Sequence, residues 1–163
     1  PNDDVNSIDY LYSQYSTDDT LFYKTAGDRI KNPLAGTEME LMEGKRLYEI
    51  NCAICHGSKG DATGHIVESE TFPATPTSYF SDALMAMPAG QMYHSIMYGK
   101  GVMGSYSSQL DPTERWMVVT YIRSLQAEYL AAQDAAEENE NENENEEEGA
   151  EGETDSNETE SNG

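Results

Sequence analysis

Cys52-Ala53-Ile54-Cys55-His56 is the stretch on which the interpretation of the whole chain depends. Two thiols three positions apart, with a histidine directly after the second, form the pattern that attaches a c-type haem. Each thiol can form a thioether with one vinyl group of the porphyrin, and the histidine then lies under the iron as an axial ligand. We therefore interpret Cys52 and Cys55 as the attachment points of one covalent haem c and His56 as an iron ligand.

Two other uses of a Cys-x-x-Cys pair fit this sequence less well. A structural zinc site takes four ligands, but the chain has only two cysteines, and His65 and His94 lie at no spacing typical of zinc fingers. A thioredoxin-like redox pair belongs to a βαβ unit, and no such pattern surrounds the motif. Haem attachment is the interpretation that uses every cysteine of the chain.

Charge is spread unevenly along the 163 residues, whose formal net charge is −22. From residue 134 onward there are 14 acidic residues and no Lys or Arg, whereas 41–133 contains nine acidic and six basic residues. This balance excludes the basic surface that nucleic-acid binding needs. No run of about 18 apolar residues is present, so we expect no transmembrane segment.

The chain divides by composition into three predicted parts. Residues 1–36 are expected to form an extended arm, because aromatic side chains are scattered among polar ones without a sustained apolar period. Such an arm is either disordered or lies along a partner surface, and both remain open. Residues 37–130 are expected to fold as one domain. Residues 131–163 are expected to be a disordered acidic tail, because they cannot bury enough apolar surface to order themselves.

Helix signals in 37–130 predict an all-α fold. Thr37 and Glu40 fit a capping box at the start of a helix that runs directly into the cysteine motif. Gly44 lies on the inner face of this helix and predicts close approach of another helix. Shorter helices are predicted at 81–87 and 89–98, the latter ending at a glycine.

The final helix of the domain has the clearest signals. Asp111 is a predicted N-cap, Pro112 occupies the first helical position, and Glu114 can complete a reciprocal cap. Apolar residues from Trp116 to Tyr129 then form a wide stripe, which we expect to cross the first helix at Gly44.

Loops on either side of 81–98 supply the other predicted site residues. The Gly- and Pro-rich stretch 57–79 is expected to wrap the proximal side of the haem without regular structure. A carbonyl near Pro76 is predicted to accept a hydrogen bond from Nδ1–H of His56. Met103 lies in a glycine-flanked loop, 47 residues after His56, where its thioether can reach the distal side of the iron. His94 and an open coordination site are the alternatives, and His94 is otherwise expected at the helix surface or bonded to a backbone carbonyl.

A His/Met ligand pair predicts electron transfer instead of bond chemistry. Both axial positions are then occupied by protein, so no position is left for a substrate. The thioether also raises the reduction potential relative to two imidazoles, because it favours ferrous iron. Apolar cover from Val102, Tyr106 and the final helix is expected to keep water away from the haem, which also raises the reduction potential.

Residues 37–130 resemble class I cytochrome c. The features that carry the resemblance are a first helix with a glycine and an aromatic residue, then Cys-x-x-Cys-His-Gly, then a late loop methionine and a terminal helix with Trp and Tyr. A narrower resemblance is to the mono-haem cytochrome c subunit of bacterial alternative complex III, the quinol:electron-acceptor oxidoreductase. This narrower resemblance rests on Asn32-Pro33-Leu34, the segment 44–48, and the haem motif with Lys59-Gly60-Asp61. Its most distinctive parts are the segments 98–110 and 114–122.

The resemblance implies that Cys52 and Cys55 attach the haem and that His56 and Met103 are its axial ligands. It also implies an all-α domain docked on the periplasmic face of a bacterial membrane complex. A multihaem subunit would donate electrons there, and a terminal oxidase or soluble cytochrome would accept them.

Two features depart from that family pattern. Family members are commonly lipid-anchored through an N-terminal cysteine, whereas both cysteines here belong to the haem motif, so we expect an absent anchor or a trimmed start. The acidic tail is also additional, and it either attracts a basic cytochrome or solubilises the subunit. The alternative functions are a free periplasmic cytochrome c carrier and haem chemistry at an open iron.

Overall fold

A computed structural model of the chain describes the backbone of residues 19–151 and the side chains of residues 20–136. That backbone range contains seven helices and no β-strand, which confirms the all-α prediction. The helices are α1 (Asp19–Arg29), α2 (Glu38–Asn51), α3 (Ala53–His56), α4 (His65–Glu68), α5 (Asp82–Met85), α6 (Ala89–Tyr98) and α7 (Pro112–Glu151). The chain divides into two compact units, Pro1–Gln126 and Ala127–Gly163, and the hydrophobic core lies in the first.

Both predicted capping boxes are present. At the start of α2 the Thr37 hydroxyl accepts a hydrogen bond from the Glu40 N–H at 3.3 Å, and the Glu40 carboxylate accepts one from the Thr37 N–H at 2.8 Å. At the start of α7 Asp111 and Glu114 make the same reciprocal pair, both bonds at 2.8 Å. Each box satisfies backbone donors that have no partner inside the helix, and so fixes where the helix begins.

Helices α2 and α7 cross at Gly44, as the sequence predicts. A Cβ atom on Gly44 would lie 2.9 Å from the carbonyl carbon of Met117 and closer still to its oxygen, so only glycine permits this approach. Tyr48 of α2 and Val118 and Val119 of α7 are fully buried. The crossing therefore forms the centre of the core, and it directs the end of α2 into the cysteine motif.

The structure differs from the predicted extended arm over Asp19–Arg29, which forms helix α1 and contacts α6. Phe22, Ala26 and Ile30 are buried at intervals of four residues, which is the spacing of one helix face. Three apolar positions, one of them alanine, make a pattern too short for a clear helical period. The rest of the predicted arm, 1–18, lies outside the described residues.

Replacing Gly90 with Ala should detach α1 from α6. A Cβ atom on Gly90 would lie 2.7 Å from the carbonyl oxygen of Ile30 and closer still to that of Ala26, and backbone atoms cannot move aside as a side chain can. We expect amide hydrogen exchange in α1 to accelerate at least tenfold, which is the rate change for about 1.4 kcal/mol of lost local stability. Gly27→Ala is the matched control, because its Cβ would meet only the Gln91 side chain. Equal acceleration in both variants would contradict this account of the contact.

Helix α6 confirms the prediction at 89–98, and α5 occupies Asp82–Met85, a single turn within the predicted 81–87. The stretch 57–79 is not wholly irregular, because it contains the single turn α4. Helix α7 continues through Glu151, into the segment that the sequence predicts as an acidic tail. Side chains 131–136 are all exposed, so this part of the helix depends on the helix propensity of Ala and Glu and on propagation from a formed helix. Residues 152–163 lie outside the described range.

Candidate cofactor site

A cavity of about 620 Å³ lies within the first unit, and its size is in the range typical of cofactor and small-molecule sites. Its walls come from α3, the loop 72–79, α5 and the residues just after it, α6, the loop between α6 and α7, and α7. All six site residues predicted from the sequence line it: Cys52, Cys55, His56, Pro76, Met103 and Tyr106. The structure thus brings together residues that are up to 54 positions apart in the chain.

The cysteine motif forms one tight turn at the end of α2. The N–H groups of Cys55 and His56 both donate to the carbonyl oxygen of Cys52, at 3.1 and 2.9 Å. Residues three and four positions apart lie on the same side of such a turn, so both thiols and the imidazole face the cavity together. Cys52 is buried, Cys55 is half-buried, and both are free thiols.

The properties of Cys52 argue against a redox-active thiol pair. Burial raises the pKa of the Cys52 thiol to about 12, and the neighbouring Cys55 acts in the same direction. Reactive redox cysteines depend on a lowered pKa, because the thiolate is the nucleophile. The Cys52 thiol of the folded chain therefore lacks the lowered pKa that is typical of a redox-active cysteine.

His56 stacks on Tyr79, with ring centroids 4.9 Å apart and ring planes 9° from parallel. Its Nδ1 atom is buried and makes no hydrogen bond to the described residues, so the predicted bond to the carbonyl near Pro76 was wrong. Stacking on Tyr79 orients the imidazole instead, and Pro76 contributes only to the cavity wall. Burial lowers the pKa of His56 to about 4, so the imidazole is neutral at pH 7 and keeps the lone pair that a metal needs. A neutral, buried imidazole beside two free thiols fits covalent haem.

Tyr79 is the site residue that the sequence reasoning missed. Its N–H donates to the carbonyl oxygen of Gly60 at 3.0 Å, and its own carbonyl accepts a hydrogen bond from Gln126 of α7 at 2.8 Å. Burial raises the pKa of the Tyr79 hydroxyl well above its usual value, so this group stays neutral. The only sequence signal was an aromatic residue at the end of a glycine- and proline-rich loop.

Two polar side chains of α7 hold the segment between Tyr79 and α6. Gln126 also donates to the carbonyl oxygen of Leu84 at 3.1 Å, and Arg123 donates to the carbonyl oxygens of Met85 and Met87. Leu84 and Met87 line the cavity. This part of the cavity wall is therefore fixed to α7 through its backbone.

Met103 faces the cavity from the loop between α6 and α7. The loop is closed by two backbone hydrogen bonds between Lys100 and Met103, at 3.0 and 3.1 Å, and the Tyr106 N–H donates to the carbonyl oxygen of Ile96 at 2.9 Å. Met103 and Tyr106 are half-buried. Val102 lines the cavity but is 71 % exposed, so it does not give the predicted apolar cover.

His94, the alternative ligand considered from the sequence, is not at the cavity. It is buried with 8 % of its surface exposed, and its ring lies 4.7 Å from that of Phe22 and 5.3 Å from that of Tyr23. The expectation of a surface position was wrong because α1 covers this side of α6. Two methionines that the sequence assigned to the core, Met87 and Met92, do line the cavity beside Met103.

A family model matches the part of the chain that contains the cavity. The family model described as "Cytochrome C oxidase, cbb3-type, subunit III" matches residues 39–122, just over half of the chain. The match includes all six predicted site residues. The matched stretch begins after α1, and its last residue, 122, lies within α7.

Comparison with solved structures gives a more distant likeness. A chain of the "reducing HAO-like protein complex" of Kuenenia stuttgartiensis is 26% identical over 57% of the present chain, with a TM-score of 0.48. The alignment spans 46% of that chain, so the present chain corresponds to about half of it. No curated protein sequence matches the chain. Within residues 19–151, no helix is long and apolar enough to cross a lipid bilayer.

Proposed function

This chain belongs to the cytochrome c family described as "Cytochrome C oxidase, cbb3-type, subunit III", and we propose that it is the mono-haem electron-transfer subunit of an alternative complex III. Its domain is of the class I cytochrome c type, carries one covalently bound haem c, and functions in electron transfer. The observation that supports the proposed site most directly is the convergence of Cys52, Cys55, His56 and Met103 on one cavity.

The roles of the site residues follow from their chemistry and position. Haem iron, when bound, changes between the ferric and ferrous states and so carries one electron. Cys52 and Cys55 would hold the porphyrin through two thioethers, and His56 and Met103 would ligate its iron. With both ligands supplied by the protein, no substrate or gas would have access to the iron.

The surrounding residues make the site dry and rigid. Apolar side chains of Leu84, Ile96, Val118 and Ile122 line the cavity and exclude water, which favours the less charged ferrous state. Tyr79 orients the imidazole of His56 by stacking. A site that is held in place in this way has little to rearrange when the electron arrives or leaves.

The proposed partners are those that the resemblance over 37–130 implies. A multihaem cytochrome subunit would donate electrons derived from quinol, and a terminal oxidase or soluble cytochrome would accept them. The subunit would lie peripherally on the periplasmic face of the inner membrane. Helix α1 covers α6 of the same chain, so residues 19–29 give no support to an arm on a partner. The choice over a free periplasmic carrier is supported by the sequence resemblance.

Co-purification from native membranes tests this proposal. Membranes are solubilised in mild detergent, the haem absorbance is followed through size exclusion, and the co-eluting chains are identified. We expect multihaem and iron–sulfur subunits to travel with this chain, and quinol to reduce its haem. A Cys52→Ser/Cys55→Ser strain is the control that identifies which absorbance belongs to this subunit. Release by salt as a lone protein would contradict the complex and favour the free carrier.

A further inference from the structure

Helix α1 precedes the stretch that the family model matches, yet one of its side chains reaches the wall of the cofactor cavity. The Tyr23 hydroxyl donates a hydrogen bond to the thioether sulfur of Met87, with 3.6 Å between Oη and Sδ. The ammonium group of Lys100 lies 3.8 Å from the centre of the Tyr23 ring. Met87 and Lys100 both line the cavity. Tyr23 therefore contacts two cavity-lining side chains from outside the cavity.

Three methionines line this cavity: Met87, Met92 and Met103. Their thioethers are chemically the same ligand, so chemistry alone does not select Met103 for the iron. Met92 is 6 % exposed and packed within helix α6. Met87 is half-buried, lies just beyond the end of α5, and has the freedom of an unbranched side chain. Met87 is thus the methionine that competes with Met103 for the iron.

We propose that Tyr23 is a positioning residue that selects the axial ligand by holding the sulfur of Met87. A thioether is a weak hydrogen-bond acceptor, and the bond from the Tyr23 hydroxyl restrains where the Met87 sulfur lies. The backbone of Met87 is held as well, because Arg123 donates to its carbonyl oxygen. Met103 is then the thioether that is left for the iron. This inference rests on the proposed function, in which Met103 is the distal ligand.

The contact between Lys100 and Tyr23 supports the same arrangement. An ammonium group over the face of a tyrosine ring is attracted by its π-electrons, so it restrains the ring while the hydroxyl engages Met87. Lys100 is also joined to Met103 by two backbone hydrogen bonds. One tyrosine of α1 thus contacts both the competing methionine and the loop that carries Met103.

The test uses the haem-loaded full chain and reads the iron–sulfur bond directly. The signals are the ferric thioether charge-transfer absorption and the shifted NMR resonances of the axial methionine methyl group in the ferrous protein. We expect Met103→Leu to lose most of both signals. Adding Tyr23→Phe should increase them roughly fivefold through Met87, and adding Met87→Leu should abolish them again. Met85→Leu, two residues away and outside the cavity lining, is the matched control and should leave the restored signal in place.

The single variant Tyr23→Phe provides a second measurement with Met103 present. It removes only the hydroxyl and keeps the ring that packs beneath Lys100. Loss of one hydrogen bond corresponds to a roughly fivefold change in a two-state equilibrium. We therefore expect a second, minor set of axial methionine resonances that disappears in Tyr23→Phe/Met87→Leu. A merely structural role for Tyr23 would lower the unfolding temperature but would create no new iron–sulfur signal.

The possible failures are distinguishable. If both Met103→Leu and Met103→Leu/Met87→Leu keep the thioether signals, Met103 is not the ligand, and the ligand assignment and the role of Tyr23 are both overturned. If Met103→Leu keeps them and Met103→Leu/Met87→Leu loses them, Met87 replaces Met103 while Tyr23 is present, and only the role of Tyr23 is overturned. If Met103→Leu loses the signals, Tyr23→Phe does not restore them, and Tyr23→Phe alone shows one set of resonances, only the role of Tyr23 is overturned. The haem site and its electron transfer then stand.

Discussion

The Met103→Leu protein should have a reduction potential on the order of 0.1 V lower than the unchanged protein, and its ferrous haem should bind carbon monoxide. The thioether favours ferrous iron, and each tenfold loss of that preference lowers a one-electron potential by about 59 mV. Leucine nearly preserves the volume of methionine, so packing around the loop should be retained. Potentiometric titration of the haem absorbance measures the first effect, and the ferrous spectrum under carbon monoxide measures the second.

The matched control for this prediction is Met97→Leu. Met97 is a half-buried methionine of α6 that packs against the core but does not line the cavity. Its replacement should leave the potential and the six-coordinate spectrum unchanged. An unaltered potential in both Met103→Leu and Met103→Leu/Met87→Leu would show that another residue is the distal ligand. Carbon monoxide binding by the unchanged protein would instead favour an open iron and haem chemistry, which is the class of function that the ligand pair excludes.

Gly44→Ala should destabilise the haem-loaded protein by about 3 kcal/mol, at the upper end of the usual cost of overpacking a core. The added methyl group would meet the backbone carbonyl of Met117, and it would also lie 3.2 Å from the Cβ atom of Tyr121. Helices α2 and α7 must then move apart at the centre of the core. The free energy of unfolding from denaturant titration, followed by the haem absorbance, gives the size of the effect.

Gly27→Ala separates this clash from the general effect of replacing a glycine. A Cβ atom on Gly27 would meet only the side chain of Gln91, which can move aside, and Gly27 does not line the cavity. Alanine is preferred to glycine inside a helix by about 1 kcal/mol, so we expect no loss of stability. The two substitutions should therefore have opposite signs. A loss of similar size in both proteins would mean that the crossing at Gly44 is not what limits stability.

Local signals in the sequence predicted most of the fold. The capping boxes at Thr37 and Asp111 predicted the starts of α2 and α7, and Gly44 predicted the position at which α7 crosses α2. These features depend on neighbours in sequence or on a single close contact, so they can be deduced without the tertiary structure. The same holds for the cysteine motif, whose spacing alone places two thiols and an imidazole on one side of a turn.

The features that sequence reasoning missed depend on contacts between distant segments. The buried position of His94 depends on α1, which was interpreted as an arm because only Phe22, Ala26 and Ile30 mark its inner face. The hydrogen bond expected for His56 was replaced by stacking on Tyr79, a choice between two local partners that no spacing reveals. The entry of Met87 into the cavity wall likewise follows from the folding of the chain after α5.

The long reach of α1 has a consequence for the order of events during maturation. Tyr23 of α1 donates a hydrogen bond to Met87, 64 positions away in sequence. Asn32, three residues after α1, donates one to Thr120, 88 positions away. Closing such long loops costs more entropy than forming the local turn at Cys52, so we expect the turn to form early and α1 to dock late. Until then Met87 and Lys100 lack their contacts with Tyr23. The last step of folding would thus restrain one wall of the cofactor cavity from the outside.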